Sequence, residues 1–229
     1  MFTYKTKPEV ANIKDVSVLN HTIGRVLRQH LSHDLRNIAT FLAMLISLIA
    51  SQTVHLSAWV QGMPGNTKAK SRIRRLTRWL SNSSIDPHVW YAPIFSYAMR
   101  EWTQMPIFLA LDTSMLYDQF CCIQISMIYM NRAIPVVWRV LEHNSSSVKY
   151  KQYADLLGQA RALLPLEAEI FFLADSGFVC KALMRRLQQL GWIWRIRVKK
   201  TKSYRPEMAL SHRRCFHSRQ ARCFCFQGT

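Results

Sequence analysis

The sequence predicts an α/β protein: an all-helical N-terminal region over residues 1–105, then a mixed sheet of order β-β-β-α-β-α-β over residues 106–202. Three observations predict it. Upstream of Pro106 apolar residues recur at helical spacing, whereas beyond it short runs rich in β-branched and aromatic residues take over. The second and third of those runs are joined by a short link, and the later ones by amphipathic stretches long enough for crossover helices. With 49% hydrophobic and 11% aromatic residues the chain can bury a real core, which excludes a disordered protein.

In the N-terminal region, Val16 to Leu31 and Leu35 to Ile49 both have helical spacing, the second with Leu35, Ile38, Leu42, Leu45 and Ile49 along one stripe. Val54 to Met63, the break Pro64-Gly65-Asn66 and Thr67 to Leu80 read as helix, tight turn, helix. On the second of these helices Ala69, Ile73, Leu76 and Leu80 form an apolar stripe, and Asn66 or Thr67 can cap its first turn. A further amphipathic helix runs from Pro87 to Trp102.

The sheet begins with Ile107 to Asp112, followed by Phe120 to Met130 and Ala133 to Leu141, whose link at Asn131-Arg132 is short enough to predict antiparallel pairing. Lys149 to Leu164 is helical, with Tyr153, Leu156, Leu157, Ala160 and Leu164 facing inward. Ile170 to Ala174 is an apolar strand, Val179 to Leu190 a helix, and Trp192 to Val198 alternates like a strand. The crossovers make the later strands parallel to the first, so Asp112 and Asp175 each fall at the carboxyl end of a strand, where ligands bind in open α/β sheets.

Charge narrows the partners. Only 13 Asp and Glu stand against 31 Lys and Arg, and a net +18 attracts polyanions, nucleic acid first. The helix from Thr67 to Leu80 carries Lys68, Lys70, Arg72, Arg74, Arg75 and Arg78 with no acid; most such runs are solvated faces, but here DNA contact is the preferred reading. The apolar run Ile38 to Ala50 is interrupted by Thr40 and Ser47 and falls short of the roughly 20 residues of a membrane span. Charged and polar residues fill Met1 to Lys14 where a signal peptide needs an apolar core, so the protein is expected to be cytoplasmic with its six cysteines reduced.

Two carboxylates held a few ångströms apart repel unless a cation lies between them, and hard oxygen ligands suit magnesium. From spacing alone Asp112 reads equally as a residue that ends a strand or caps a turn, and Asp175 before Ser176-Gly177 equally as a helix cap. Asp118 reads as a solvated loop acid, and Glu142, Asp155, Glu167 and Glu169 as surface charges. Trp79, Cys121, Cys122 and Cys180 read as core residues.

The segments Phe108-Leu-Ala-Leu-Asp112-Thr-Ser, Phe172-Leu-Ala-Asp175-Ser-Gly-Phe178 and Gly191-Trp-Ile-Trp-Arg-Ile-Arg197 resemble bacterial insertion-sequence transposases of the DDE type, the IS-four group. Ser71 to Leu80 and Ala133 to Arg139 share in the resemblance, which spans about residues 30 to 200. It implies a ribonuclease-H-like sheet, Asp112 and Asp175 as the first two of three catalytic, metal-binding acids, and magnesium or manganese as the cofactor. It also implies double-stranded DNA at terminal inverted repeats as the partner, Arg195 and Arg197 near the DNA backbone, and a homodimer for the full-length form.

The family's third acid lies in a pattern of Tyr, two residues, Arg, three residues, Glu, six residues, Lys, and this sequence lacks it. After Asp175 the one acid is Glu207, at the wrong spacing in Tyr204-Arg205-Pro206-Glu207. Residues 203–229 are expected to be an atypical tail, frameshifted or disordered, in place of the rest of the catalytic part. Its His212, Cys215, His217, Cys223 and Cys225 match no zinc spacing. The expectation is a transposase inactive in this truncated form, with a DNA-binding remnant that inhibits the full-length enzyme as the alternative.

Overall fold

The computed structural model describes residues 13–63, 67–102 and 105–197. The break predicted at residues 64–66, Val198 and the whole tail, with Glu207 and its histidines and cysteines, lie outside the described residues. Five helices come first: α1 (Ile13–His30), α2 (Leu35–Ser51), α3 (Leu56–Gly62), α4 (Ala69–Leu80) and α5 (Pro87–Ala98). Then follow β1 (Ile107–Leu116), β2 (Phe120–Tyr129), β3 (Arg132–Glu142), α6 (Ala154–Leu163), β4 (Ile170–Ala174), α7 (Lys181–Gln189) and β5 (Ile193–Ile196). The chain is therefore α/β, with five helices ahead of a five-stranded mixed sheet and two more, α6 and α7, between its later strands.

Helix α2 starts where Asp34 accepts a 2.8 Å bond from the Arg36 amide, and it is the centre of the helical region. Its stripe is wider than the sequence suggests: Ile38, Thr40, Leu42, Met44, Ile46 and Ser47 are all buried, because α1 packs on one side and α3 with α4 on another. Leu35 and Ile49, at the two ends of the predicted stripe, are exposed instead. On α4 the buried anchor is Leu76, flanked by half-buried Ile73 and Trp79, whereas Ala69 and Leu80 are exposed. Trp79 stacks on Phe41 and meets Trp90 edge-on, each at 5.4 Å, so it is packing surface as expected. Lys68 occupies the cap position of α4 without a side-chain cap bond, so the expected cap at Asn66 or Thr67 is not made by Thr67, and Asn66 is not described.

The sheet runs β3-β2-β1-β4-β5. Strands β1, β2 and β3 form an antiparallel meander, while β4 is parallel to β1 and β5 to β4. Met130 and Asn131, both left-handed at φ 45° and 59°, make the tight β2–β3 turn, one residue earlier than the predicted link. Strand β1 extends four residues past Asp112 to Leu116, since Thr113 to Leu116 continue the pairing with β2. On edge strand β3, a bulge lets Ser126 pair with Pro135 and Ile125 with Val137, which accommodates a proline that has no amide to give.

One sheet face carries the core. Leu109, Leu111, Ile123, Ile125 and Phe172 are fully buried against Leu156, Leu157 and Ala160 of α6 and Leu183 and Leu187 of α7. Tyr153, Leu156, Leu157, Ala160 and Leu164 all face inward as their spacing predicts, although the first turn of that helix, Tyr150–Gln152, is 3-10 and not α. Phe95 and Met99, from α5 and its end, join the same core, and the Tyr91 hydroxyl donates to the Pro135 carbonyl. Burial pushes the Tyr91 phenol up to about 12.

Candidate functional site

Strands β1 and β4 pair in parallel with Phe108 opposite Phe171, Ala110 opposite Leu173 and Leu111 opposite Ala174. Alternation then decides the faces: Leu109, Leu111 and Phe172 enter the core, so Phe108, Ala110 and Asp112 share the opposite face with Phe171, Leu173 and Asp175. Stacking of the Phe108 and Phe171 rings, 5.0 Å apart with planes at 18°, marks that shared face. One step beyond the Leu111–Ala174 pair, Asp112, midway along β1 and not at its end as the sequence predicts, and Asp175, just past the carboxyl end of β4, are thus adjacent on neighbouring strands. Both are exposed.

Each acid has its own local setting. An oxygen of Asp112 accepts a 2.8 Å bond from the Thr113 amide, and Thr113 Oγ1 in turn donates to the Ser146 carbonyl at 3.0 Å, which ties the strand to the loop after β3. Asp175 ends β4 in extended backbone, and no side-chain cap bond ties it to the 3-10 turn Ser176–Phe178. Its nearest cation is Arg197, whose Nη1 lies 3.9 Å from Asp175 Oδ1. With those side chains 72% and 62% exposed, the ion pair adds little stability and can open to admit another cation.

Arg195 pairs with Leu173 in register, so Arg195 and Arg197 stand on the same sheet face as the two aspartates. Gln124, opposite Asp112 on β2, shares this face as well and donates its amide to Ser126 Oγ. It escapes a reading by motif, and only the hairpin register reveals it. Two hard carboxylates with open solvent around them fit a single magnesium or manganese ion that keeps several waters. Among the described residues no group of three His, Cys, Asp or Glu gathers into a metal site.

Asp118 lies at the β1–β2 turn, left-handed at φ 55° and exposed. Asp155 is exposed, as its reading as a surface charge expects, and is also paired with Arg139: Nη1 donates to Oδ1 and Nη2 to Oδ2, and Nη1 also donates to the Gln152 carbonyl at 3.0 Å. The hydrogen bond from Arg139 is the main reason the Asp155 carboxyl is held below its ordinary range. Cys121 is buried and Cys122 and Cys180 half-buried, all as free thiols, which fits their reading as packing residues.

The basic helix divides into groups with different surroundings. Arg72 is half-buried and donates to the Val60 and Met63 carbonyls at 3.0 and 2.9 Å, where it satisfies the end of α3. Arg75 donates through Nε and Nη2 to Thr40 Oγ1 at 3.1 and 2.9 Å. Lys68, Lys70, Arg74 and Arg78 are exposed.

No family model matches this sequence, and no curated protein matches it. The geometry of the two sites is therefore what bears on function. Among the described residues no single helix is long and apolar enough to cross a membrane.

Proposed function

We propose that the chain is part of an insertion-sequence transposase of the DDE type, that its sheet is ribonuclease-H-like, and that Asp112 and Asp175 are two of its metal-binding carboxylates. The observation that carries this reading is the adjacency of those two acids, remote in sequence, on one sheet face where β4 ends beside β1. The strand order β3-β2-β1-β4-β5 and the charge of +18 support it, as do the motif segments around both acids. Asp112 and Asp175 would hold one magnesium or manganese ion, while Arg195 and Arg197 on the same face attract the DNA phosphate to it. Bound there, such an ion lends Lewis acidity to phosphoryl transfer.

With no third carboxylate beside the pair among the described residues, we infer that this chain binds the ends of its element without cutting them. The same observation favours the second reading, a non-catalytic remnant that occupies terminal inverted repeats and inhibits the complete enzyme. Gel shifts and nicking assays with duplexes from the DNA flanking the gene, with and without magnesium, test both. Binding that survives Asp112→Ala and Asp175→Ala, with no nicking by any form, is expected. Absence of binding to any duplex overturns the reading, and magnesium-dependent nicking lost in the variants overturns the inactive assignment.

A further inference from the structure

Three of the exposed arginines on α4 stand on its side next to α2. Arg74, Arg75 and Arg78 recur at helical spacing and, with Arg36 of α2, line a cleft of about 430 Å³ between the two helices. Asn37 and Asn82 add amides at its edge, and no acid lines it. Four guanidinium groups around one small volume repel one another unless an anion lies among them.

The cleft is also organised in advance. Thr40 Oγ1 donates to the Arg36 carbonyl at 2.9 Å and accepts two bonds from Arg75, so one hydroxyl fixes the Arg75 guanidinium against α2. Nη1 of Arg75 is not used in these bonds. Arg36, Arg74 and Arg78 form no ion pair among the described residues. A planar fork held this way suits the paired oxygens of a phosphate better than a single point charge would.

We propose that this cleft is a phosphodiester site, in which Arg36, Arg74, Arg75 and Arg78 grip the backbone of a DNA duplex. The inference rests on the DNA-binding reading above and sharpens it: α4 meets DNA through phosphate contacts, because its exposed arginines converge with Arg36 of α2 on one open, acid-free cleft. The contact fixes position and carries no sequence information. Lys68 and Lys70 do not line the recess and lie outside the proposed site.

The test is fluorescence anisotropy of the full chain with labelled duplexes of unrelated sequence, titrated over a range of salt concentrations. Arg74→Gln and Arg78→Gln are the test variants, since neither side chain makes an intramolecular hydrogen bond among the described residues, and Lys151→Gln, exposed and outside the cleft, is the control. Each arginine variant is expected to weaken binding severalfold on every sequence alike and to lower the magnitude of the salt slope by about 1, as loss of one phosphate contact does. Arg78→Lys, which keeps charge but loses the fork, is expected to restore the slope with only part of the affinity, and melting curves establish that each variant is folded.

Unchanged affinity and slope in both arginine variants, while the wild type binds DNA, overturn the cleft and leave the DNA-binding reading standing. Loss confined to one duplex sequence also overturns it, since that marks base readout. Failure of the wild type to bind any duplex sinks both.

Discussion

Asp112 of β1 and Asp175 at the end of β4 stand one register step beyond the Leu111–Ala174 pair, on the sheet face opposite the packed core. The apolar neighbours that fix this register, Leu109, Leu111 and Phe172, are fully or nearly fully buried, so the acids are held together by a core that neither of them enters. Two like charges at adjacent positions cost some stability in the absence of a cation. That cost gives the pair a measurable signature independent of any catalytic activity.

Replacing either acid by its amide, Asp112→Asn or Asp175→Asn, is expected to leave the fold intact and to stabilise it by up to about 0.5 kcal/mol in metal-free buffer. The wild type should melt at higher temperature in magnesium or manganese than in chelator, because an ion that binds only the folded pair shifts the equilibrium by mass action. Both variants should lose that rise. Melting curves by circular dichroism check the prediction, and an equal metal-induced shift in wild type and variants would count against a shared site.

The Arg139–Asp155 pair joins edge strand β3 to the first turn of α6, and it has a defined pH signature. Asp155 is held below the ordinary carboxylate range in the folded state, so its contribution is fully present above the unfolded value and is lost as pH falls through the folded one. Half of the Asp155 side chain is exposed, which discounts the contribution to about 1 kcal/mol. Asp155→Asn should therefore destabilise the protein at neutral pH and converge with the wild type in acid. Denaturant unfolding across pH checks this, and a gap between the two proteins that widens on acidification would refute it.

Much of this architecture was legible before the structure was known, for physical reasons that differ by element. Tyr153, Leu156, Leu157, Ala160 and Leu164 all turn inward because one face of α6 meets the sheet, and periodicity reports that face directly. Helix α2 shows less of its burial in its periodicity, since it is covered from more than one side and Met44, Ile46 and Ser47 are buried off the predicted stripe. The extra length of β1 depends on pairing of Thr113 to Leu116 with β2, a contact that no local pattern encodes. At the sites, the two aspartates could be named from the segments around them, but the partners of Arg72 and Arg75 could not. Their oxygens, from Val60, Met63 and Thr40, become neighbours only when α2, α3 and α4 pack.

Gly191 closes α7 with φ of +69°, its amide bonded to the Gln188 carbonyl and the Trp192 amide to the Leu187 carbonyl, each at 3.0 Å. This double bond pattern turns the chain so that Trp192, only 2% exposed, drops into the core beside Leu187 and leads into β5. No side chain would obstruct a Cβ at this position, so the cost of Gly191→Ala is the left-handed backbone alone, about 1 kcal/mol. Gly191→Val should cost more, since a β-branched residue resists that conformation further. Chemical denaturation of both variants measures the order; equal stability of all three proteins would show that the helix end relaxes to another turn.

Arg72 separates a packing role from a DNA role on the same helix. Its guanidinium donates to the Val60 and Met63 carbonyls, which close α3 against α4, so Arg72→Ala leaves those acceptors without their partner. A loss of about 1–3 kcal/mol is expected from the unmet hydrogen bonds. DNA affinity, measured well below the lowered melting temperature, should fall by far less than in Arg74→Gln, because the Arg72 charge is directed into the protein. A variant with normal stability and strongly weakened DNA binding would show that Arg72 swings outward to the phosphates.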